Sequence, residues 1–308
     1  MHDLKAIYDK IFDYMNFYAK EYFEFDGNAK FYPRQPKMTD MEVISLSLAA
    51  DCLEINSENL LWSKITKDYP NMFPRLIHRT KYNLRRKKLY PVLSQVLNKF
   101  AQILEDNIGD EILIIDSMPL PICKLSREHT STVCRDRQRD EVLATKSFNS
   151  SLGGYYIGYK FHLITTKSGV YKDMLISSAN VHDNYFLKLL NKEDTHLANI
   201  ELLADRGYVG RAIQLSLFED LSLSLNVPYR RNQKDFRKYP FDKKLIRKTI
   251  EVVFAQYCDE FRIRENYAKR FEGLYIKIVT KVCAKTFKQF YNFINGKPIN
   301  QTKHALAA

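Results

Sequence analysis

Four consecutive apolar residues, Ile112 to Ile115, run into a single carboxylate, Asp116, and then into the proline-bearing segment Met118-Pro-Leu-Pro121. A short isoleucine-rich run without polar alternation predicts a strand covered on both faces, which requires packed layers on either side of a sheet. The two prolines predict its end. An acid at the end of such a strand is costly unless it is paired or binds a cation. Asp116 therefore asks for a partner, unless it is an ordinary turn residue.

The texture on either side of this strand differs. Before it, Leu4, Ile7, Tyr8, Ile11, Tyr14 and Met15 recur at helical spacing. Thr39-Asp-Met-Glu42 reads as a capping box opening a helix to Leu53, and Ser57 starts another. His78 to Leu89 carries Arg79, Lys81, Arg85, Arg86, Lys87 and Lys88 with no acid, which predicts either a phosphate-binding helix or a solvated face. An amphipathic helix from Val92 to Leu104 then leads to a boundary at Asp106-Asn-Ile-Gly109.

After the boundary, strands appear. Leu125 to Gly154 reads as a long loop, of the kind usually tied to function. Tyr155 to Thr166 and Val170 to Ser177 read as a hairpin about Lys167-Ser-Gly169, giving three antiparallel strands with the first. A short helix follows from Asp183 to Leu190. Ile200 to Ala204 is a second apolar run that ends in an acid, Asp205, before Arg206-Gly207. A helix from Val209 and a strand from Ser222 complete a β-α-β texture, which implies parallel strands. Pro228 to Lys248 is the most basic stretch, with Arg230, Arg231 and Arg247 among its cations. The helix from Asp242 to Phe261 aligns Ile246, Ile250, Val253 and Tyr257, and Glu251 lies at the edge of that stripe. Apolar helical texture resumes from Leu274 to Ile294, and the residues after Gly296 read as a frayed tail. The expected division is a helical region over 1–108, an α/β domain over 109–295, and a tail over 296–308.

Charge limits the partners. The chain has 308 residues, with 48 Lys and Arg against 36 Asp and Glu, a net +12. Such an excess, clustered in two stretches, fits a polyanion such as nucleic acid. No apolar run is long enough to span a bilayer. Five scattered cysteines without a C-x-x-C pair fit a reducing cytoplasm better than a disulfide or zinc framework. Asp116, Asp205 and Glu251 then form a set by context. Carboxylates brought together cannot all stay ionised without a cation, and hard oxygen donors favour Mg²⁺ or Mn²⁺. Two such ions suit phosphodiester displacement. The ordinary alternatives are a helix cap at Asp205 and an i, i+4 pair of Glu251 with Arg247.

At these residues the sequence resembles bacterial insertion-sequence transposases with a DDE active site, related to the IS4/IS5-type group and most closely the IS982 family. The matching pieces are IIDSMPLPICK at Asp116, GYYIGYKFHLITTKSG in the hairpin, SANVHDN, LLADRGY at Asp205 and LIRKTIEVVFAQ at Glu251. The resemblance implies an RNase H-like mixed sheet with flanking helices, preceded by an all-helical N-terminal domain. It implies that Asp116, Asp205 and Glu251 are catalytic metal ligands for two Mg²⁺ (or Mn²⁺) ions. It also implies cleavage at the terminal inverted repeats and transfer of the 3′-OH into target DNA, by a homodimer in the bacterial cytoplasm beside the nucleoid. Arg79, Lys81, Arg85, Arg86, Lys160, His162, Arg206, Arg230, Arg231 and Arg247 are the expected DNA contacts. Related transposases carry a Tyr-Arg-Glu-Lys signature around the Glu. Here Arg247 keeps the Arg, whereas Lys244 and Cys258 stand at the Tyr and Lys positions. An RNase H-like nuclease without strand transfer, or an inactive DNA-binding descendant, would share most of these features.

Overall fold

The structure is a computed structural model, and it describes residues 3–229, 236–265 and 267–306. The helices are α1 (Leu4–Tyr18), α2 (Asp40–Cys52), α3 (Glu58–Asp68), α4 (Arg79–Lys88), α5 (Tyr90–Ile108), α6 (Asn184–Leu189), α7 (Arg211–Leu221), α8 (Phe241–Asp259) and α9 (Phe271–Ile294). The strands are β1 (Ile112–Cys123), β2 (Thr145–Asn149), β3 (Gly154–Thr166), β4 (Tyr171–Ser178), β5 (Glu201–Leu203) and β6 (Ser224–Asn226). The chain forms two compact units, one of Met1–Asp106 with Tyr257–Ala308 and the other of Asn107–Gln256.

The first unit is helical and is built around α2 and α9. The capping box at Thr39 is present in full: the Glu42 N–H donates to Thr39 Oγ1 at 3.1 Å, and the Thr39 N–H donates to Glu42 Oε2 at 2.6 Å. Apart from Glu42, every residue of α2 is buried, as a helix without a polar face requires. Helix α9 is also buried along most of its length, although it carries Lys277, Lys281, Lys285 and Lys288. Lys281 is neutralised where it lies, with its Nζ 2.7 Å from Asp51 Oδ1. The expected frayed tail instead includes a 3-10 turn at Thr302–His304 and the buried side chains of Ala305 and Leu306.

The second unit carries a mixed sheet in the order β2-β3-β1-β5-β6, with β4 also on β3. The expected hairpin is β3 and β4, antiparallel to each other, and β1 is antiparallel to β3. Strands β5 and β6 are parallel to β1 and to each other, as the β-α-β texture implies. Leu113, Ile115, Leu202 and Ala204 pack with Phe186, Leu187, Leu217 and Leu221 of α6 and α7 in one core. Ile114, pointing the other way, is also wholly buried, so β1 is covered on both faces.

Two expectations are corrected here. The prolines do not end β1, which continues to Cys123. It pairs with β5 only over Ile112 to Ile114, and beyond that point only β3 is bonded to it. Along the free edge, the missing N–H groups of Pro119 and Pro121 interrupt no ladder. Pro121 faces Gly158, where any side chain would collide with the Leu120 carbonyl. The stretch read as a loop contains β2, a short, polar edge strand whose alternation buries little.

Candidate active site

The register of the parallel strands aligns two of the acids. Ile114 pairs with Leu203 at the end of the β1–β5 ladder, and Asp116 and Asp205 each lie two residues further on. Adjacent strands are roughly 4.8 Å apart, so the two acids lie side by side, Asp116 within β1 opposite Leu163 and Asp205 just past the end of β5. Each accepts the N–H of the residue after it: Ser117 N to Asp116 Oδ1 at 2.8 Å, and Arg206 N to Asp205 Oδ1 at 2.7 Å. These local bonds fix the carboxylates on rigid backbone.

Burial pushes the Asp116 carboxyl up to about 6, and the negative charges of Asp205 and Asp183 add to the rise; the Ser117 N–H and Arg247 oppose it. Arg247, on α8, supplies the positive charge. Its guanidinium Nη2 lies 3.5 Å from Asp205 Oδ1, and its own side chain is 18% exposed against 56% for Asp205. Arg247 Nε is buried without a hydrogen-bond partner among the described residues.

A further acid, Asp183, is linked to Asp116 through Ser117. Its Oδ1 accepts from Ser117 Oγ at 2.9 Å and from Lys160 Nζ at 3.0 Å. Lys160 also donates to the Val181 carbonyl at 2.8 Å. The other oxygen, Oδ2, faces Gly207, where a Cβ would stand 3.3 Å away. Burial raises the Asp183 pKa, but Lys160 and Ser117 outweigh it, so the group is held below its ordinary value. Tyr208 is buried close by. Its phenol is held well above its ordinary pKa by burial, reinforced by Asp116 and Asp183. Asp183, Ser117 and Tyr208 were not singled out from the sequence; the signal was the SANVHDN segment, whose acid follows a turn and has no pattern of its own.

The remaining expected residues divide. Glu251 is exposed on α8, one helical turn after Arg247 and therefore on the same side of the helix. Among the described residues, no three His, Cys, Asp or Glu side chains come close enough together to hold a metal ion. The Asp116–Asp205 pair nevertheless suits a hard divalent cation: two oxygen donors on rigid backbone, one of them with its pKa raised by burial and like charge. Arg206 is exposed beside Asp205. Lys160 is tied to Asp183. His162 is 0% exposed inside β3, with Nε2 2.8 Å from Ser177 Oγ, so it presents nothing to DNA. This corrects the expected contact, because alternation along a strand covered on both faces buries either parity. Arg230 and Arg231 lie outside the described residues.

In α4, Arg85 turns inward: its Nη2 is 2.6 Å from Asp40 Oδ1 and 2.9 Å from Asn28 Oδ1. Arg86 Nη2 is 3.0 Å from Glu58 Oε1, and Arg79 is 3.7 Å from Glu58 Oε2. Lys81 and Lys88 remain exposed. Part of the basic run is thus spent on the interior of the helical unit.

No helix among the described residues is long and apolar enough to cross a membrane. No curated protein and no solved structure matches the chain. The family model for the transposase DDE domain matches residues 107–270, more than half of the chain, beginning where the second unit begins and carrying Asp116, Asp205 and Glu251; the protein belongs to that transposase family.

Proposed function

We propose that the chain is a DNA transposase of the IS982 type, with an RNase H-like catalytic domain that cuts at insertion-sequence ends and joins the freed 3′-OH to target DNA. The observation that carries this reading is the alignment of Asp116 and Asp205 past the Ile114–Leu203 pair, with Arg247 beside them. In this reading Asp116 and Asp205 hold the divalent ions, and Glu251 completes the ligand set from α8. When bound, a pair of Mg²⁺ or Mn²⁺ ions activates the attacking oxygen and stabilises the leaving one. The protein's own residues do the rest. The β1 and β5 backbones hold the two carboxylates, and Arg247 restrains Asp205. Asp183, paired with Lys160, holds the Ser117 hydroxyl next to Asp116. Arg206 is placed to meet a phosphate. Two transposon ends must be paired, which makes a homodimer the working assembly.

The test uses an oligonucleotide carrying the element's terminal repeat, uncut or with a free 3′-OH, together with a target plasmid and Mg²⁺. Cleavage of the first and joining of the second are expected, and Asp116→Asn, Asp205→Asn and Glu251→Gln should each abolish both. Cleavage without joining would make the protein a nuclease. Binding of the repeat with neither reaction would make it a DNA-binding descendant.

A further inference from the structure

A cleft of about 450 Å³ opens within the helical unit, among the start of α3, one side of α4 and the turn that leads into α9. Its lining includes Arg79, Arg86, Lys87, Lys269, Arg270 and Lys277, with Glu58 as its acid. That one carboxylate is shared, since it takes both Arg86 and Arg79 and also accepts from Asn83 Nδ2 at 2.7 Å. Lys87 pairs with Glu272 at 2.7 Å, on a carboxylate that is largely exposed. A positive excess therefore remains at the walls.

Two further observations bear on the charge of the cleft. Arg86 is 8% exposed, and its buried Nε has no hydrogen-bond partner among the described residues. That N–H has no surface on the cleft, so Arg86 contributes its charge there rather than this donor. The 24-residue helix α9 also begins here, at Arg270, with no side-chain cap on its first turn. The positive end of its dipole thus adds to the cations. Burial draws Lys277 down to about 8, with Lys281 and Arg86 adding to the fall and Asp51 and Glu58 opposing it.

We propose that this cleft is a phosphate-binding site and that its occupant is a phosphodiester of the DNA backbone. Guanidinium forks match phosphate oxygens two at a time, and the cleft is wide enough for a phosphate with part of its sugar. The identity of the occupant rests on the DNA substrate proposed above, but the binding does not depend on the cleavage chemistry.

The test uses the full chain carrying Asp116→Asn, so that cleavage plays no part. Pyrophosphate is the small probe, read by melting temperature, and a DNA duplex is the large one, read by fluorescence anisotropy across a salt series. Arg79→Glu with Lys269→Glu alters the rim, and Arg86→Gln alters the wall. Pyrophosphate should raise the melting temperature of the parent and leave that of the Arg86→Gln variant unmoved. The rim variant should lose about tenfold or more in duplex affinity at 0.1 M salt, and its log–log salt slope should fall by about two. Unchanged duplex affinity and slope in the rim variant overturn the assignment to DNA. If its pyrophosphate response is lost as well, the site serves a free phosphate compound instead. If Arg86→Gln fails to fold, the rim variant alone decides, through the same two probes. Failure of the unsubstituted protein to cut DNA would not alter these binding results, so the two readings fall separately.

Discussion

The Arg247 guanidinium lies 3.5 Å from the Asp205 carboxylate, and the same charge acts on Asp116, lowering a pKa that burial pushes up to about 6. One side chain thus steadies both acids. Arg247→Met removes that lowering influence, so the Asp116 pKa rises further. The acid limb of metal-dependent cleavage should move to higher pH, and Arg247→Lys should recover part of the shift. The pH–rate profile at saturating DNA checks this; a limb that stays in place removes Arg247 from the electrostatics of the site.

Asp116 should also be a stability cost. Its folded pKa, about 6, stands above the ordinary 3.8, so between those values the folded protein binds more protons than the unfolded chain. Stability from this group therefore falls as pH rises from about 4 to 6, and the penalty persists at neutral pH. Asp116→Asn should melt higher than the parent at pH 7 in EDTA, with the difference shrinking as pH falls below 6. Mg²⁺ should raise the melting temperature of the parent more than that of the variant. A variant that melts below its parent at pH 7 would contradict the origin given for the shift.

Asp116 and Asp205 stand out because each follows an apolar run; Asp205 lies past the end of β5, whereas Asp116 sits inside β1, which runs on to Cys123. The β3–β4 hairpin was legible from a change of period marked by Gly. What could not be read depends on partners distant in sequence. Pro119 and Pro121 look like terminators until β5 is seen to stop at Ile114 and leave an edge. Asp183 carries no periodic signal, and only the fold brings it to Ser117 and Lys160. Arg85 looks like a phosphate ligand in a run of cations, because Asp40, which claims it, lies far back in the chain. Glu251 was placed beside the core stripe, and Ile250 and Val253 are indeed buried, yet an edge position on a helix leaves its side chain in solvent.

His162 belongs to the stability of the sheet. Burial lowers its pKa to about 4, with Lys160 adding to the fall and Asp183 opposing it. Its neutral form supports the fold above the ordinary 6.5, and that support drains away as pH falls toward 4. His162→Ala opens a cavity and leaves Ser177 Oγ with its 3.4 Å bond to the Ser178 carbonyl, a loss of about 2–4 kcal/mol by urea unfolding at pH 7.5. The deficit should narrow as pH drops below 6.5. Duplex affinity, measured where both proteins are folded, should not change; a marked loss would restore a DNA contact.

The Lys160–Asp183 pair couples the hairpin to β1 through Ser117. The side chains are 18% and 29% exposed, so each charge depends on the other. Lys160→Met leaves Asp183 uncompensated next to two other acids, and Asp183→Asn leaves Lys160 without its anion and weakens the bond from Ser117 Oγ. Each single change should cost about 1–3 kcal/mol. The double variant should cost less than the sum, because neither charge is then orphaned. Catalysis should divide differently from stability. With Asp183 intact, Lys160→Met adds net negative charge beside Asp116 and should raise its pKa, moving the acid limb of the rate profile to higher pH. Asp183→Asn removes one of the charges that raise that pKa, and should move the limb the other way. Opposite displacements in two variants of one ion pair are what an electrostatic role requires. Equal displacements, or none, would reduce the pair to a structural tie between β3 and the turn before α6.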